Sequence, residues 1–325
     1  MALEPIDAAH ALQIQAGVIG RKAGHIFEDA IATRINTIAE FQIPVSSAQG
    51  HVFSGDPGEL LLYYIAARTG FQGHLRASAI STGALATSED GKQWLNINGS
   101  DVSRCKSDLV LTLDSGHGRQ ETFGISSKQC NNNTPTNAQL FFTTARGFTS
   151  LLRRNGLEVS DRAEVALRQF CGDPGFRPVD DGRAVRTRKV DPRRWFWEEI
   201  DARGRQEWED ILSSRQDAVT RLLLTKAYVD DPFIPEYLIH KTKKSQSWND
   251  TEVAIYSIAE LVELSRRYQG FATRPYSVRK GSHRDPPGIS HLAPRFGIIQ
   301  MQRGGQKQHP EQLQFNLEAG YFYKI

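Results

Sequence analysis

The chain has 325 residues, 24% of them charged and 39% hydrophobic, with a formal charge of +3 and a pI near 8.7. This excludes a disordered or fibrous chain and leaves room for one large domain or two small ones around a substantial core. The basicity is mild, so a nucleic-acid surface has to come from local clusters, and no run approaches the roughly 18 apolar residues of a membrane span.

The first residues, Met1 to Ala16, lack a basic segment followed by an unbroken apolar core. No secretory signal is expected, and a cytoplasmic location is. Cys105, Cys130 and Cys171 match no zinc spacing and are read as free thiols in a reducing compartment.

Along the chain, Val18, Phe27, Ile31, Ile35 and Ile38 form a stripe at steps of three and four, which predicts a helix within 6–40. Gly17, Gly20 and Gly24 weaken its first turns. Glu28 lies on the stripe, three and seven residues before Ile31 and Ile35. A carboxylate there is costly unless paired or bound to a metal; the ordinary alternative is a helix-edge glutamate whose head reaches water. A turn at 55–58 precedes a second helix at 59–68, and 74–81 reads as a strand. Residues 82–104 are mostly loop, with an edge strand at 94–98.

Residues 108–113 and 122–128 are predicted strands joined by a polar turn around Gly116 and Gly118. Pairing them brings Asp108 close to Lys128. A carboxylate for a hard cation beside an ammonium for a phosphate or an attacking water suits metal-assisted phosphodiester chemistry. A surface hairpin with an ordinary salt bridge meets the same spacing.

The Asn131-Asn-Asn-Thr-Pro-Thr136 run signals a helix start, capped at Thr136 or Asn137 and running to Arg154. Helices are expected at 161–171, 192–226 and 249–268, with a strand at 236–240. Trp195, Phe196, Trp197 and Trp208 are read as core packing within the second of these rather than base-stacking groups. The last 55 residues read as strands at 271–278, 296–302 and 312–324. The organisation is therefore an α/β core over 1–158, a mainly helical insertion over 159–270, and C-terminal strands over 271–325 that return to the core or to its binding face.

The helix segment Gly24-His-Ile-Phe-Glu28, with Ser107-Asp108 and Ser126-Ser-Lys-Gln129, resembles the PD-(D/E)xK nuclease superfamily, and within it the type II restriction endonucleases. The likeness covers residues 15–155. It implies a restriction-endonuclease-like fold, a mixed central sheet flanked by helices, and Mg²⁺-dependent hydrolysis of double-stranded DNA. Asp108 then matches the first metal-binding acid, although Ser107 replaces the proline of the pattern, and Lys128 matches the lysine. Ser126 stands where the second acid belongs and brings no charge. The resemblance implies an acid supplied from elsewhere: Glu28, with Glu121, Asp114 and Asp101 as rivals. Gln129 adds a hydrogen bond to the set.

Basic clusters at 183–194, including Arg186, Arg188 and Lys189, at 240–244 with Lys241, Lys243 and Lys244, and at 279–284 with Arg279 and Lys280 offer phosphate contacts. Each cluster alone is equally a solvated face. Arg303, Gln306 and Gln308 have the chemistry to read bases. Three function classes remain: a site-specific endonuclease acting as a homodimer on a palindrome, a superfamily nuclease for repair or modification-dependent defence, and a non-catalytic DNA-binding protein with a decayed site.

Overall fold

The computed structural model describes residues 8–43, 50–83, 95–102, 105–116, 118–187, 191–226, 231–278, 285–303 and 311–319, with side chains from residue 22 onward except 185–187. The chain forms two compact units, Met1–Ala138 with Leu224–Leu261 and Ala319–Ile325, and Gln139–Leu223 with Val262–Glu318.

The first unit opens with α1 (Ala8–Asn36), β1 (Val52–Gly55), α2 (Pro57–Arg68) and β2 (Arg76–Ser81). Then follow β3 (Leu95–Ile97), β4 (Ser100–Val102), β5 (Leu109–Asp114) and β6 (Gln120–Gln129). The chain continues through β7 (Ala138–Thr143), α3 (Ala145–Arg154), α4 (Asp161–Cys171), α5 (Gly182–Thr187), α6 (Ala202–Ser214) and α7 (Gln216–Thr225). It closes with β8 (Pro235–Lys241), β9 (Thr251–Ser257), α8 (Ile258–Ser265), β10 (Phe271–Tyr276), β11 (His291–Phe296), β12 (Ile299–Arg303) and β13 (Leu313–Leu317).

A six-stranded mixed sheet in the order β1-β9-β8-β6-β5-β2 carries the first unit. The β6–β8 pair is parallel and the other ladders are antiparallel. The sheet is flanked by helices. Leu109, Leu111 and Leu113 of β5 join Phe123, Ile125, Ile239 and Ile255 on one face, against Phe27, Ile31 and Ile35 of α1 and Leu61, Leu62 and Ile65 of α2. On the other face Val110 packs with Ile97 and Val102 of the β3–β4 hairpin. Burial on both faces explains the nearly unbroken apolar run of β5. Each such leucine contributes about 1.5–3 kcal/mol.

Helix α2 starts two residues earlier than predicted. Asp56 caps it by accepting from Gly58 N at 2.8 Å and Glu59 N at 3.2 Å, and Pro57 occupies the first turn, where its missing N–H has no partner to lose. Arg34 of α1 pairs with Asp56 at 3.0 Å and with Glu59. A Cβ on Gly58 would stand 2.9 Å from the Arg34 side chain, so the glycine lets the two helices approach.

The second unit is built on a five-stranded sheet, β10-β11-β12-β13-β7. The C-terminal strands thus form a sheet with β7. Phe148 of α3 stacks on Trp208 at 5.6 Å and meets Phe315 at 4.6 Å, while Trp208 donates to Ala163 O at 2.7 Å. Phe196 and Trp197 are buried as well.

Several element assignments differ from the sequence reading, among them residues 100–102, a strand where loop was expected. Residues 138–143 alternate in burial and form β7, and the helix after them starts at the cap Thr144, which accepts from Gly147 N at 3.0 Å. The run of cap-type residues from 131 to 144 allows several starts, and the last is used. Residues 251–257 form β9, between β1 and β8, because a short apolar run buried on both faces has no period to distinguish it from helix. The segment 192–226 becomes α6 and α7, capped at Asp201 and interrupted at Arg215. Strand β11 carries Pro294, which argues against a strand. It is tolerated because β12 pairs only Arg295 and Phe296, leaving the Pro294 stretch of that edge without a ladder.

Candidate active site

The end of the β5–β6 pair brings three charged side chains together. Asp108 is fixed through its backbone, donating to Ile125 O at 2.8 Å and accepting from Thr82 N at 3.1 Å. Its Oδ2 accepts from Ser127 N at 2.7 Å, from Ser126 Oγ at 3.2 Å and from Lys128 Nζ at 3.3 Å. Oδ1 accepts no hydrogen bond among the described residues. One oxygen thus orients the carboxylate and the other remains to act. Lys128 Nζ is held in turn by Ser126 Oγ at 3.1 Å and Ser127 O at 2.7 Å. Ser126 and Lys128 share a face of β6 because side chains alternate along a strand.

Glu28 comes to this site from α1. It is 7% exposed, and among the described residues nothing donates a hydrogen bond to its carboxylate. Burial pushes it up to about 8; repulsion from Asp108 adds to this and attraction by Lys128 opposes it. One turn earlier, a Cβ on Gly24 would stand 3.7 Å from Gln129 Nε2 and 3.9 Å from Glu28 Oε1. The bare backbone at Gly24 thus faces both groups, bringing Gln129 to the Glu28 side of the site.

The rival acids are not brought to Asp108. Glu121 is bonded to Arg119 Nε at 2.9 Å and lies five residues along β6 from Ser126, about 16 Å at a strand's rise. Asp114, at the far end of β5, caps Gly116 N at 2.7 Å. Asp101 accepts from Asn96 in the β3–β4 hairpin at 2.9 Å. Glu121, kept as a metal-ligand alternative on sequence, is tied to Arg119 instead.

Two further charged or titratable groups at the site carry no sequence motif. His240, 1% exposed, pairs in register with Lys128 across the β6–β8 ladder. Burial and then Lys128 push it down to about 4, so it adds no charge near neutrality. Lys106 is pushed down to about 8 by burial and by Lys128, against the attraction of Asp108 and Asp231. No sequence signal distinguishes either; both depend on strands brought together from distant parts of the chain. The three cysteines are free thiols, and burial pushes Cys105 up to about 12.

The basic candidates fall in different places. Lys241 sits opposite Gln129 in the ladder, its ammonium 6.0 Å from the Phe27 ring centroid and 3.5 Å from Asn131 Oδ1. Lys243 is paired with Glu252 at 2.8 Å, and Lys244 is exposed. Arg303, in the second unit, is 8% exposed at its side chain and lies 3.8 Å from Asp191. Burial and neighbouring Arg194 push its guanidinium down to about 10. Arg188, Lys189, Arg279, Lys280, Gln306 and Gln308, and the side chain of Arg186, lie outside the described residues.

The described residues bring no third carboxylate, histidine or cysteine into a metal-holding group. Two carboxylates still fit Mg²⁺, which commonly takes one or two from a protein and completes its shell with water and substrate phosphate. The open Oδ1 of Asp108 and the donor-free Glu28 are the groups such a cation would neutralise. The class of protein is thus a mixed α/β chain in which two carboxylates, Asp108 and Glu28, meet Lys128 at the end of the central strands. No protein-family model matches the chain, and no curated protein matches it. Among solved structures it is similar to restriction endonuclease MspI in complex with its cognate DNA, at 11% identity over 93% of this chain and 92% of that chain, with a TM-score of 0.49.

Proposed function

We propose that this chain is a Mg²⁺-dependent, site-specific endonuclease of double-stranded DNA, a PD-(D/E)xK enzyme of the type II restriction kind in the Ser-x-Lys form. The observation that carries the reading is the convergence of Asp108, Lys128 and Glu28, a buried carboxylate with no donor among the described residues. Ser126 leaves the hairpin one acid short, and Glu28 supplies it from the first helix.

In this reading Asp108 and Glu28 hold the cation. When bound, Mg²⁺ polarises the scissile phosphate and acidifies a water. Ser126 Oγ and Ser127 N–H fix the rotamer of Asp108, so its free oxygen needs no reorganisation. Lys128 orients the attacking water and offsets the charge that grows on phosphorus. Gln129 places an amide beside Glu28. Lys241 and Lys244 meet phosphates flanking the cut, and base reading falls to other groups. Two-fold symmetry of a palindromic site calls for a homodimer.

The test is digestion of a defined plasmid with Mg²⁺. Discrete fragments, lost in Asp108→Ala and Lys128→Ala variants that still bind DNA, are expected. Cutting that depends on DNA structure or methylation would move the chain to another task within the superfamily. Binding with no cutting by the wild type would overturn catalysis.

A further inference from the structure

The first helix brings a second polar side chain towards the site besides Glu28. His25 lies one turn before Glu28, is half-buried, and makes no hydrogen bond or ion pair among the described residues. Its ring is seated on Gly83, two residues beyond β2. A Cβ there would stand 3.1 Å from the ring's Cγ, 3.2 Å from Nδ1 and 3.3 Å from Cδ2. The contact is with the base of the ring, so Nε2 at its far end stands clear of this backbone.

A separate contact fixes which side of α1 this is. Asn36, eleven residues on and so about three full turns away, shares a line along the helix with His25. Asn36 Nδ2 donates to Ala79 O at 2.8 Å, and its Oδ1 accepts from Ala79 N at 2.8 Å. Helix α1 therefore runs along β2, with Asn36 at mid-strand and His25 at the segment beyond its end. Gly24 lies on the other side of the Glu28 line and faces Gln129 of β6. Gly24 and His25 thus straddle Glu28 as β6 and β2 straddle β5.

Asp108 is bonded to both neighbours of β5. Its carbonyl accepts from the N–H of Thr82, the residue before Gly83, at 3.1 Å, and its own N–H donates to Ile125 O at 2.8 Å. With consecutive Cα atoms about 3.8 Å apart and adjacent strands about 4.8 Å apart, the His25 ring stands about 10 Å from Asp108. It stands on the β2 side, whereas Lys128 comes from β6. A nucleic-acid strand that runs across β5 from the Lys128 side, with its scissile phosphate at the open oxygen of Asp108, brings its next phosphate to His25. Lys22, exposed one turn earlier, lies further out on the same helix. We propose that His25 is a phosphate-contacting residue of the site: its ring N–H donates to a non-bridging oxygen of the phosphate adjacent to the scissile one, and Gly83 sets the position of the ring. Such a contact holds the strand in register over the reacting groups without reading sequence.

The inference rests on the nuclease reading, and its test keeps the two apart. Wild type is compared with His25→Phe, which keeps a ring against Gly83, and with His25→Gln, which restores an N–H donor. The duplexes carry one neutral methylphosphonate at each phosphate flanking the cut in turn. Single-turnover cleavage with Mg²⁺ and binding in EDTA are measured. At one of these phosphates the methylphosphonate should cost the wild type about tenfold to a hundredfold, the scale of a hydrogen bond to a charged group. It should cost His25→Phe nothing further, because the contact is already gone. On the unmodified duplex His25→Phe should show the same loss, and His25→Gln should recover most of it. If His25→Phe does not fold, Gly83→Ala takes its place in the scan, since its Cβ crowds the ring without removing it; it should show a reduced response at the same phosphate. Methylphosphonate effects as large in the variant as in the wild type at every position would overturn the proposal, as would a His25→Phe that binds and cuts like the wild type. A wild type that binds but cuts nothing would overturn the nuclease reading; the scan, run over the bound duplex, then decides the His25 contact by affinity alone.

Discussion

Glu28 lies buried in the field of Asp108, and no hydrogen-bond donor among the described residues relieves it. Two carboxylates so placed cannot both ionise without cost. A protein that keeps such a pair has either a proton or a cation between them.

That relationship sets a pH dependence. The folded value of Glu28, about 8, lies above its ordinary 4.5, so between these limits the native state binds more protons than the unfolded one. Stability from this group is fully present below 4.5 and is lost as pH rises through 8. His240 acts with the opposite sign between about 4 and 6.5, and Lys106 also with the opposite sign between about 8 and 10.5. The Glu28 effect is therefore read between pH 6.5 and 8. In EDTA, urea midpoints should fall across this window in the wild type and stay flatter in Glu28→Gln. Mg²⁺ should stabilise the wild type more at pH 8 than at 6.5. Parallel curves for wild type and variant would remove Glu28 as the source.

The two acids weighed on sequence separate by substitution. Glu28→Ala should slow Mg²⁺-dependent cleavage by about a hundredfold to a thousandfold, the scale of about 3–4 kcal/mol for removing a transition-state contact. Glu121→Ala should cut within a few-fold of wild type, since it breaks only the partly exposed Arg119 pair near the start of β6, with about 0–1 kcal/mol at stake. The reverse pattern would place the second acid in the hairpin and leave α1 as scaffold.

How much of this was legible follows from what each feature depends on. The β5–β6 pair could be read because its apolar run, turn glycines and terminal charges are all local. Glu28 could be singled out by its place on the α1 stripe, but the lack of a donor around it is a property of packing. Lys106 gave no signal: its position depends on Asp231 and Phe233, some 125 residues onward. β9 was hidden because a buried central strand and a short buried helix share one composition, and β7 because its neighbours offer several caps. Arg303 looked like a base reader beside Gly304 and Gly305, yet it lies buried against Asp191.

Gly124 lies where the segment before β5 meets the segment before β8, with Ser107 Oγ donating to Phe233 O. Alanine would force its Cβ against Ser107 Oγ and the Ile234 carbonyl, and the carbonyl cannot rotate away as a side chain can. The segment 106–108 must then shift, taking Asp108 out of line with Ser127 N. Gly124→Ala should lose about 1–3 kcal/mol of stability, the usual cost of overpacking. It should also lose cleavage disproportionately, because small misplacements of catalytic groups are costly. Measured unfolding and single-turnover rates would show it; a variant with wild-type stability and rate would mean that the strands separate there without consequence.

The basic residues beyond β8 should differ in their share of DNA binding. Lys243 is engaged by Glu252 at 2.8 Å, so a phosphate must compete for it, whereas Lys244 is exposed. Lys241 is half-buried, its ammonium 6.0 Å from the Phe27 ring centroid and 3.5 Å from Asn131 Oδ1, next to Gln129 in the ladder. Affinity for a duplex falls with salt in proportion to the phosphates neutralised. Lys241→Ala and Lys244→Ala should each lower the slope of log affinity against log salt by about one. Lys243→Ala should lower it less, since Glu252 already neutralises Lys243 and leaves it little share in meeting phosphate. Slopes unchanged in all three variants would put the DNA on another face of the chain.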